Sequence, residues 1–143
     1  MPRGAYPVAG SRGYAARIAR ALACRVYPGY IALTGPAAHN PHLTELIREC
    51  HKCGLDSNIA LSGAYVTGEK LREFIDAGVT RIFVSLNGST KEVNEKTRDG
   101  YELAIRTLEL LHNIGWEKTV INWVMHECNA DDFPNIGASS PLK

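Results

Sequence analysis

The fold is decided by residues 77–88, AGVTRIFVSLNG in one-letter code. Gly78 follows a helical pattern whose inward positions are Leu71, Phe74 and Ile75, and a glycine just past a helix closes it in the left-handed conformation. Residues 81–86 are rich in the β-branched and aromatic side chains that favour strands. Small polar residues follow directly. This stretch therefore predicts a helix end, a strand and a polar loop in succession.

The same succession recurs on both sides of this stretch. Gly54 precedes a β-rich run at residues 57–61, and Gly115 precedes another at residues 119–125. A further strand is predicted at residues 30–33, after Pro28-Gly29. Helical patterns occupy residues 14–23, 43–50, 67–75 and 101–111, with a short helix after residue 89. The predicted N-terminal caps are Asn40 before Pro41, Thr67, and Ser89 with Glu92 in a capping box.

Alternating helices and strands indicate parallel strands joined by right-handed crossovers. Two α/β architectures fit: a doubly wound open sheet, and a partial (β/α) TIM-like barrel with about four parallel strands and flanking helices. The predicted organisation is a tail at residues 1–12, a domain at residues 13–134 and a second tail at residues 135–143. In either architecture, functional groups belong at the carboxyl ends of the strands.

Composition excludes several classes of protein. The 143 residues suffice for one domain, and 45% hydrophobic with 22% charged residues is typical of a globular protein. No apolar stretch approaches the roughly 20 residues that span a bilayer, and a net charge of +1 argues against general nucleic-acid binding. Four cysteines without a secretory signal predict a reducing compartment, by default the cytoplasm. Residues 1–44 contain five arginines and no acid, which fits a tail plus helix or a transit peptide.

The predicted strand ends carry hydroxyls, amides and glycines. They contain no carboxylate pair and no Ser–His–Asp set, so they suit polar ligand binding better than acid–base catalysis. With such an edge, a cofactor would have to supply the chemistry; alternatively these residues are only turn formers. The four segments are Thr34-Gly35-Pro36, Ser62-Gly63-Ala64, Ser85-Leu86-Asn87-Gly88 and Asn122-Trp123-Val124-Met125.

From residue 31 to about residue 135 the chain resembles peptide-modifying radical S-adenosylmethionine (SAM) enzymes, of the kind that often carry an extra C-terminal cluster domain (SPASM-type). The resemblance rests on order and spacing over about 100 residues. Its motifs are Ala32-Leu33-Thr34-Gly35 with Asn40-Pro41-His42-Leu43, Val84-Ser85-Leu86-Asn87-Gly88-Ser89, Arg98-Asp99-Gly100, and Val120-Ile121-Asn122-Trp123-Val124.

The resemblance implies SAM and a [4Fe–4S] cluster as cofactors and a peptide or protein as substrate. It implies that the loop of Thr34 and Gly35 holds the amino group of SAM, and that Ser85 bonds the ribose. Asn87 stands beside Ser85 where the family often has Asp. The resemblance further implies that Arg98 pairs with the carboxylate of SAM, and that Ser62 and Asn122 line the cofactor.

The chain departs from the family pattern at two motifs. The Gly-Gly-Glu-Pro motif is replaced by a shorter segment without Glu, residues 34–41, and no Cys-x3-Cys-x2-Cys loop precedes residues 14–23. Cys50 and Cys53 are expected at the opposite edge of the sheet as structural cysteines, with a half zinc site as the alternative. Other candidate ligands are His39 with His42, and His126-Glu127-Cys128 after the last strand, whereas Cys24 is expected to pack.

The sequence therefore predicts a radical SAM-like domain that acts on a peptide or protein but is incomplete and inactive as this chain alone. It leaves open whether another polypeptide supplies the cluster loop. The alternative is a non-catalytic half-barrel module that self-associates or pairs with a partner through exposed sheet edges. An aldolase-like or nucleotide-binding enzyme fits less well, since no strand end carries a Schiff-base lysine and no G-x-G-x-x-G loop is present.

Overall fold

The computed structural model describes residues 13, 30–33, 38 and 40–139. The predicted helix at residues 14–23, Cys24, the Thr34-Gly35 loop and His39 lie outside the described residues. The elements in chain order are β1 (Tyr30–Leu33), α1 (Leu43–Lys52), β2 (Asp56–Leu61), α2 (Gly68–Asp76), β3 (Arg81–Ser85), α3 (Lys91–Asn94), α4 (Tyr101–Ile114), β4 (Thr119–Asn122), a 3-10 turn (Ala130–Asp132) and α5 (Phe133–Ser139).

The strands form one sheet in the order β1-β2-β3-β4, and every neighbouring pair is parallel. Strand order therefore follows chain order without the reversal that defines a doubly wound sheet. Helices α1, α2 and α4 share one apolar cluster with alternate strand residues, among them Ile59, Ile82 and Val84. The intervening side chains Ala60 and Phe83 are half-buried on the other face. Parallel strands with helices on one face confirm the α/β class and are consistent with a partial barrel.

Local signals explain most element boundaries. The predicted helix stops Gly54, Gly78 and Gly115 all have positive φ, between 69° and 93°. The Thr67 hydroxyl accepts a hydrogen bond from the Lys70 N–H at 3.2 Å, which confirms it as the cap of α2. The three glycines end helices at the amino edge of the sheet, and the Thr67 cap begins a helix at the carboxyl edge.

Two predicted caps are wrong. His42, and not Asn40, occupies the N-cap of α1; the Asn40 side chain instead accepts the His42 N–H at 2.9 Å in the turn before the helix. Thr90, and not Ser89, caps α3 by accepting the Val93 N–H. Ser89 does not cap α3 because its hydroxyl is used in a contact with a residue far along the chain.

The residues after β4 form more regular structure than their composition predicted. The 3-10 turn and α5 follow a loop at residues 123–129, and Ile136 in α5 is only 6% exposed. Helix α5 runs into the residues that the sequence predicted as a tail, although the domain boundaries themselves stay predictions. Among the described residues, no helix combines the length and apolar character needed to cross a bilayer.

Candidate functional site

Three of the predicted site residues lie together at the carboxyl edge of the sheet. Ser85 and Asn122 are register partners at the ends of β3 and β4. Ser62 directly follows Leu61, whose register partner is Val84, so it stands at the level of Ser85. Adjacent strands are about 4.8 Å apart. The hydroxyls and the amide therefore form a row across three neighbouring strands.

Two of the three side chains in the row reach solvent, and the third is buried. Val84 belongs to the core on the helix-covered face, so alternation along β3 directs its neighbour Ser85 to the opposite face. Ser85 is 9% exposed, and its hydroxyl makes no hydrogen bond with the described residues. Ser62 is half-buried and Asn122 is exposed. Among the residues that the structure describes, this edge offers donors and acceptors without hydrogen-bonding partners.

Asn87 lies at the same edge, but its side chain is already engaged. Its Nδ2 donates to the Thr97 hydroxyl at 3.0 Å, and its Oδ1 accepts the Val124 N–H at 3.1 Å. Its backbone carbonyl accepts the indole N–H of Trp123 at 2.9 Å, and the residue is only 4% exposed. Asn87 thus ties the loop after β3 to the loop after β4.

Arg98 reaches this edge through a clamp made by Asn94. The Asn94 Oδ1 accepts the Asn87 N–H at 2.7 Å, and its Nδ2 donates to the Arg98 carbonyl at 2.7 Å. Asn94 is 1% exposed. The Arg98 side chain is half-buried, and its guanidinium makes no ion pair or hydrogen bond with the described residues. A fixed backbone with an unpaired cationic side chain suits an anionic ligand group.

The close approach of two backbone segments explains why a glycine, Gly88, lies in the loop after β3. A Cβ on Gly88 would collide with the backbone nitrogen of Asn94, at the end of α3. Only glycine lets α3 come this near to β3, which is the condition for the Asn94 clamp. The sequence predicted only a polar strand end here, and the close approach of α3 gives the physical reason for its glycine.

The segment after β4 closes over these loops as a strap, residues 123–133. Asn129, 1% exposed, donates its Nδ2 to the carbonyls of Asn87 and Val124, each at 3.0 Å, and its Oδ1 accepts the His126 N–H at 2.7 Å. These bonds satisfy buried carbonyls that would otherwise lose their solvation. The strap thus fixes the shape of the edge beside Asn122.

Asp132 fastens the far end of the strap. Its carboxylate accepts the backbone N–H and the hydroxyl of Ser89, both at 2.6 Å. Burial raises the pKa of Asp132, but the bonds from Ser89 and Asn135 and the charge of Lys96 together lower it by more, so that the pKa lies below its ordinary value. The ring of Trp123 stacks on Phe133 with centroids 4.8 Å apart, which supports the same segment. The strap is therefore held by both an ionised carboxylate and an aromatic pair.

The described cysteines do not assemble into a cluster site. Cys50 is fully buried near the start of β2, where the Leu55 N–H donates to its carbonyl at 2.9 Å, and Cys53 is the C-cap of α1. Both lie at the amino edge of the sheet, as predicted, whereas exposed Cys128 lies on the strap at the other edge. Burial, and then the charge of Cys53, raises the pKa of the Cys50 thiol.

The other candidate ligands are also separated. The structure brings no three His, Cys, Asp or Glu side chains together in a metal-binding group among the residues it describes. His42 stands next to Glu45 on α1, 3.7 Å away, and His126, Glu127 and Cys128 are exposed on the strap. Neither set supplies the three or four converging ligands of an iron or zinc site.

The comparison with known proteins decides the family. The family model described as the Radical SAM superfamily matches residues 5–137. The chain belongs to the radical SAM superfamily. Members of this superfamily generally use SAM and a [4Fe–4S] cluster. The predicted resemblance is thereby confirmed.

Curated relatives include two enzymes named PqqA peptide cyclase. The relative from Ruegeria pomeroyi is 31% identical over 102 residues, which cover 69% of this chain and 27% of the relative. The relative from Bradyrhizobium diazoefficiens is 29% identical over 99 residues, which cover 66% of this chain and 25% of the relative. The chain thus spans about a quarter of the length of these radical SAM relatives.

Three positions that shape the carboxyl edge escaped the sequence analysis. Asn94, Asn129 and Asp132 hold the radical SAM domain's loops in place, yet each lies in a short or irregular segment without periodicity. Their partners are between 3 and 43 residues away along the chain. Only the excess of Asn at the predicted strand ends hinted at such a network.

Proposed function

We propose that this chain forms the SAM-binding edge of a radical SAM enzyme that modifies a peptide. The observation that carries the proposal is Arg98, whose backbone Asn94 ties to the loop after β3 and whose guanidinium has no partner among the described residues. The Ser85 hydroxyl, at the end of β3, likewise has no partner there. SAM offers a carboxylate for Arg98 and ribose hydroxyls for Ser85. The chain therefore presents a charged and a neutral partner for two parts of one cofactor.

We assign Ser62 and Asn122 to further cofactor contacts, since they continue the row on either side of Ser85. Thr34 and Gly35 remain the proposed partners of the SAM amino group. Asn87 takes a different role in this proposal. Because both ends of its amide are engaged by Thr97 and Val124, it positions the edge and does not itself contact SAM.

The [4Fe–4S] cluster does not fit the described part of this chain. When bound, the cluster supplies the electron that cleaves SAM. The described thiols lie at opposite edges of the sheet, and the sequence contains no Cys-x3-Cys-x2-Cys loop. We therefore propose that this chain alone does not assemble the cluster and is catalytically incomplete, so that the cluster ligands come from other residues or another polypeptide.

The peptide substrate class rests on the relatives. Both are named peptide cyclases, and the matched region covers most of this chain. A peptide would approach at the carboxyl edge, where functional groups of parallel α/β folds gather. We therefore propose a peptide or protein substrate positioned over the SAM site.

Calorimetric titration with SAM tests the cofactor site. Charge-assisted hydrogen bonds are worth about 1.5–3 kcal/mol, so R98A should weaken SAM binding about 10- to 100-fold. R98K should recover part of the affinity, because it restores the charge without the planar fork. R106A, an exposed arginine change in α4, is the matched control and should bind like the unmodified chain. Equal affinity of R98A and R106A for SAM would refute the assignment.

Anaerobic incubation with iron and sulfide tests the missing cluster site. The proposal predicts a colourless protein without charge-transfer absorption. A brown product whose spectrum responds to SAM would show that this chain binds a cluster by itself. That result would reject the claim that the chain is incomplete.

A second candidate function is a non-catalytic interaction module. It is favoured by the strands at the ends of the described sheet, because β1 and β4 each pair on one side only. Such edges pair readily with other chains. Under this alternative, analytical ultracentrifugation should detect self-association, and SAM should not bind. Tight SAM binding by a monomeric chain would exclude it.

A further inference from the structure

Large apolar side chains are exposed at only one edge of the sheet, within the part of the chain that the structure describes. One lies in the loop after β2, one in the first turn of α4, two directly after β4 and one at the start of α5. We call them the apolar rim: Tyr65, Leu103, Val124, Met125 and Phe133. All of these positions belong to the carboxyl edge, where the polar row lies. Exposed apolar residues are normally scattered singly, so this one-sided gathering requires an explanation.

Tyr65 adds a second, independent observation. Its φ is 59°, and it is the one non-glycine residue with positive φ in the described ranges. Bulky side chains rarely adopt this conformation, which glycine or asparagine accepts easily. Tyr65 is 71% exposed, so burial of its ring does not offset the strain. Strain of this kind concentrates at ligand-binding sites.

The loop around Tyr65 is anchored on both sides, which explains why the strain persists. A Cβ on Gly63 would collide with the Leu103 carbonyl, so the loop lies directly against α4. Val66 is 6% exposed, and the Thr67 hydroxyl caps α2. With these anchors fixed, Tyr65 is presented at the edge and does not relax toward the core.

We infer that the apolar rim binds apolar side chains of a peptide substrate. This inference rests on the proposed function, since it places the peptide over the SAM-binding edge. The rim begins in the loops that also carry the polar row: Tyr65 lies three residues after Ser62, and Val124 lies two residues after Asn122. Two strand spacings separate β2 from β4, about 10 Å, which equals about three residues of extended peptide.

The chemistry of the rim favours a peptide over a second small cofactor. Tyrosine, phenylalanine and methionine are enriched where proteins bind other polypeptides, and methionine adapts to varied apolar partners. The hydroxyls and the amide of the polar row can bond a peptide backbone. A small polar molecule seated on the row would leave the apolar rim in water. Both curated relatives are named peptide cyclases, which agrees with this occupant.

The test uses the 143-residue chain with a fluorescently labelled synthetic PqqA peptide in saturating SAM. We expect Y65N and M125S each to weaken peptide binding at least fivefold in fluorescence polarisation, while calorimetry shows unchanged SAM affinity. Y65N should also raise the thermal midpoint by about 2–5 °C, since asparagine tolerates positive φ. E117A, an exposed change at the amino edge, is the control and should leave peptide binding unchanged.

Several outcomes would overturn the inference. These are no peptide binding by the unmodified chain, unchanged peptide binding in both rim variants, or a thermal midpoint of Y65N that does not rise. Ultracentrifugation tests whether a second copy of the chain occupies the rim instead. If the rim variants abolish a dimer but spare peptide binding, a second copy covers the rim. Failure of the proposed function is distinguishable, because it appears as lost SAM binding by the unmodified chain and equal behaviour of R98A and R106A.

Discussion

Replacing Asn94 by alanine tests the network that shapes the candidate site. The substitution removes the acceptor of the Asn87 N–H and the donor to the Arg98 carbonyl, both at 2.7 Å. Asn94 is 1% exposed, so water does not readily replace either partner. Leaving a buried polar group unpaired costs about 1–3 kcal/mol. Two such groups therefore give an expected loss of about 2–6 kcal/mol, which is large against a domain stability of about 5–15 kcal/mol.

Urea unfolding followed by circular dichroism measures this loss. With a slope of about 2 kcal/mol per molar urea, a 3 kcal/mol loss lowers the midpoint by about 1.5 M. N113A, an exposed asparagine change in α4, is the matched control and should stay within about 0.5 kcal/mol of the unmodified chain. The Asn94 variant should also bind SAM more weakly, because the backbone of Arg98 is no longer held.

N94D separates the two bonds. Aspartate keeps an acceptor for the Asn87 N–H but places a second oxygen against the Arg98 carbonyl, so this variant loses one bond and gains a repulsion. We expect it to affect SAM binding as strongly as N94A does. If N94A and N113A unfold at the same urea concentration and bind SAM equally, the clamp does not shape the site.

Three further predictions concern other elements. T67A should destabilise the chain by about 1 kcal/mol in urea, since the threonine caps α2. In the folded chain, iodoacetamide at pH 8 should label exposed Cys128 before Cys50, whose pKa is raised by burial, and mass spectrometry should find Cys50 labelled only with urea. Asp132 has a lowered pKa, because its hydrogen bonds outweigh its burial, so its stabilisation is complete above about pH 4 and is lost as the pH falls further. D132N should therefore flatten the stability profile below pH 4, whereas D131N should not.

The parts of the fold that local chemistry controls could be predicted. Gly54, Gly78 and Gly115 end helices because a left-handed residue is needed there, and the sequence shows it directly. Strand order and the placement of helices on one face could not be predicted, because they depend on packing between distant elements. Helix α5 escaped prediction because Pro134 and Gly137 disguise its pattern.

The candidate site could also be predicted in part. Parallel strands force their ends to one edge, so the positions of Ser62, Ser85 and Asn122 followed from topology alone. Which polar side chains remain available is decided by tertiary partners. Ser89 had the sequence of a helix cap but binds Asp132, 43 residues away. No local pattern reports such a contact.

Backbone amide chemical shifts during a SAM titration test the central claim most directly. If the carboxyl edge binds SAM, the largest shifts should occur at residues 62–67, 85–89, 98–101 and 122–125. Amides at the amino edge, at residues 53–56 and 115–118, should remain unchanged. Shifts concentrated at the amino edge, or no saturable shifts anywhere, would contradict the account.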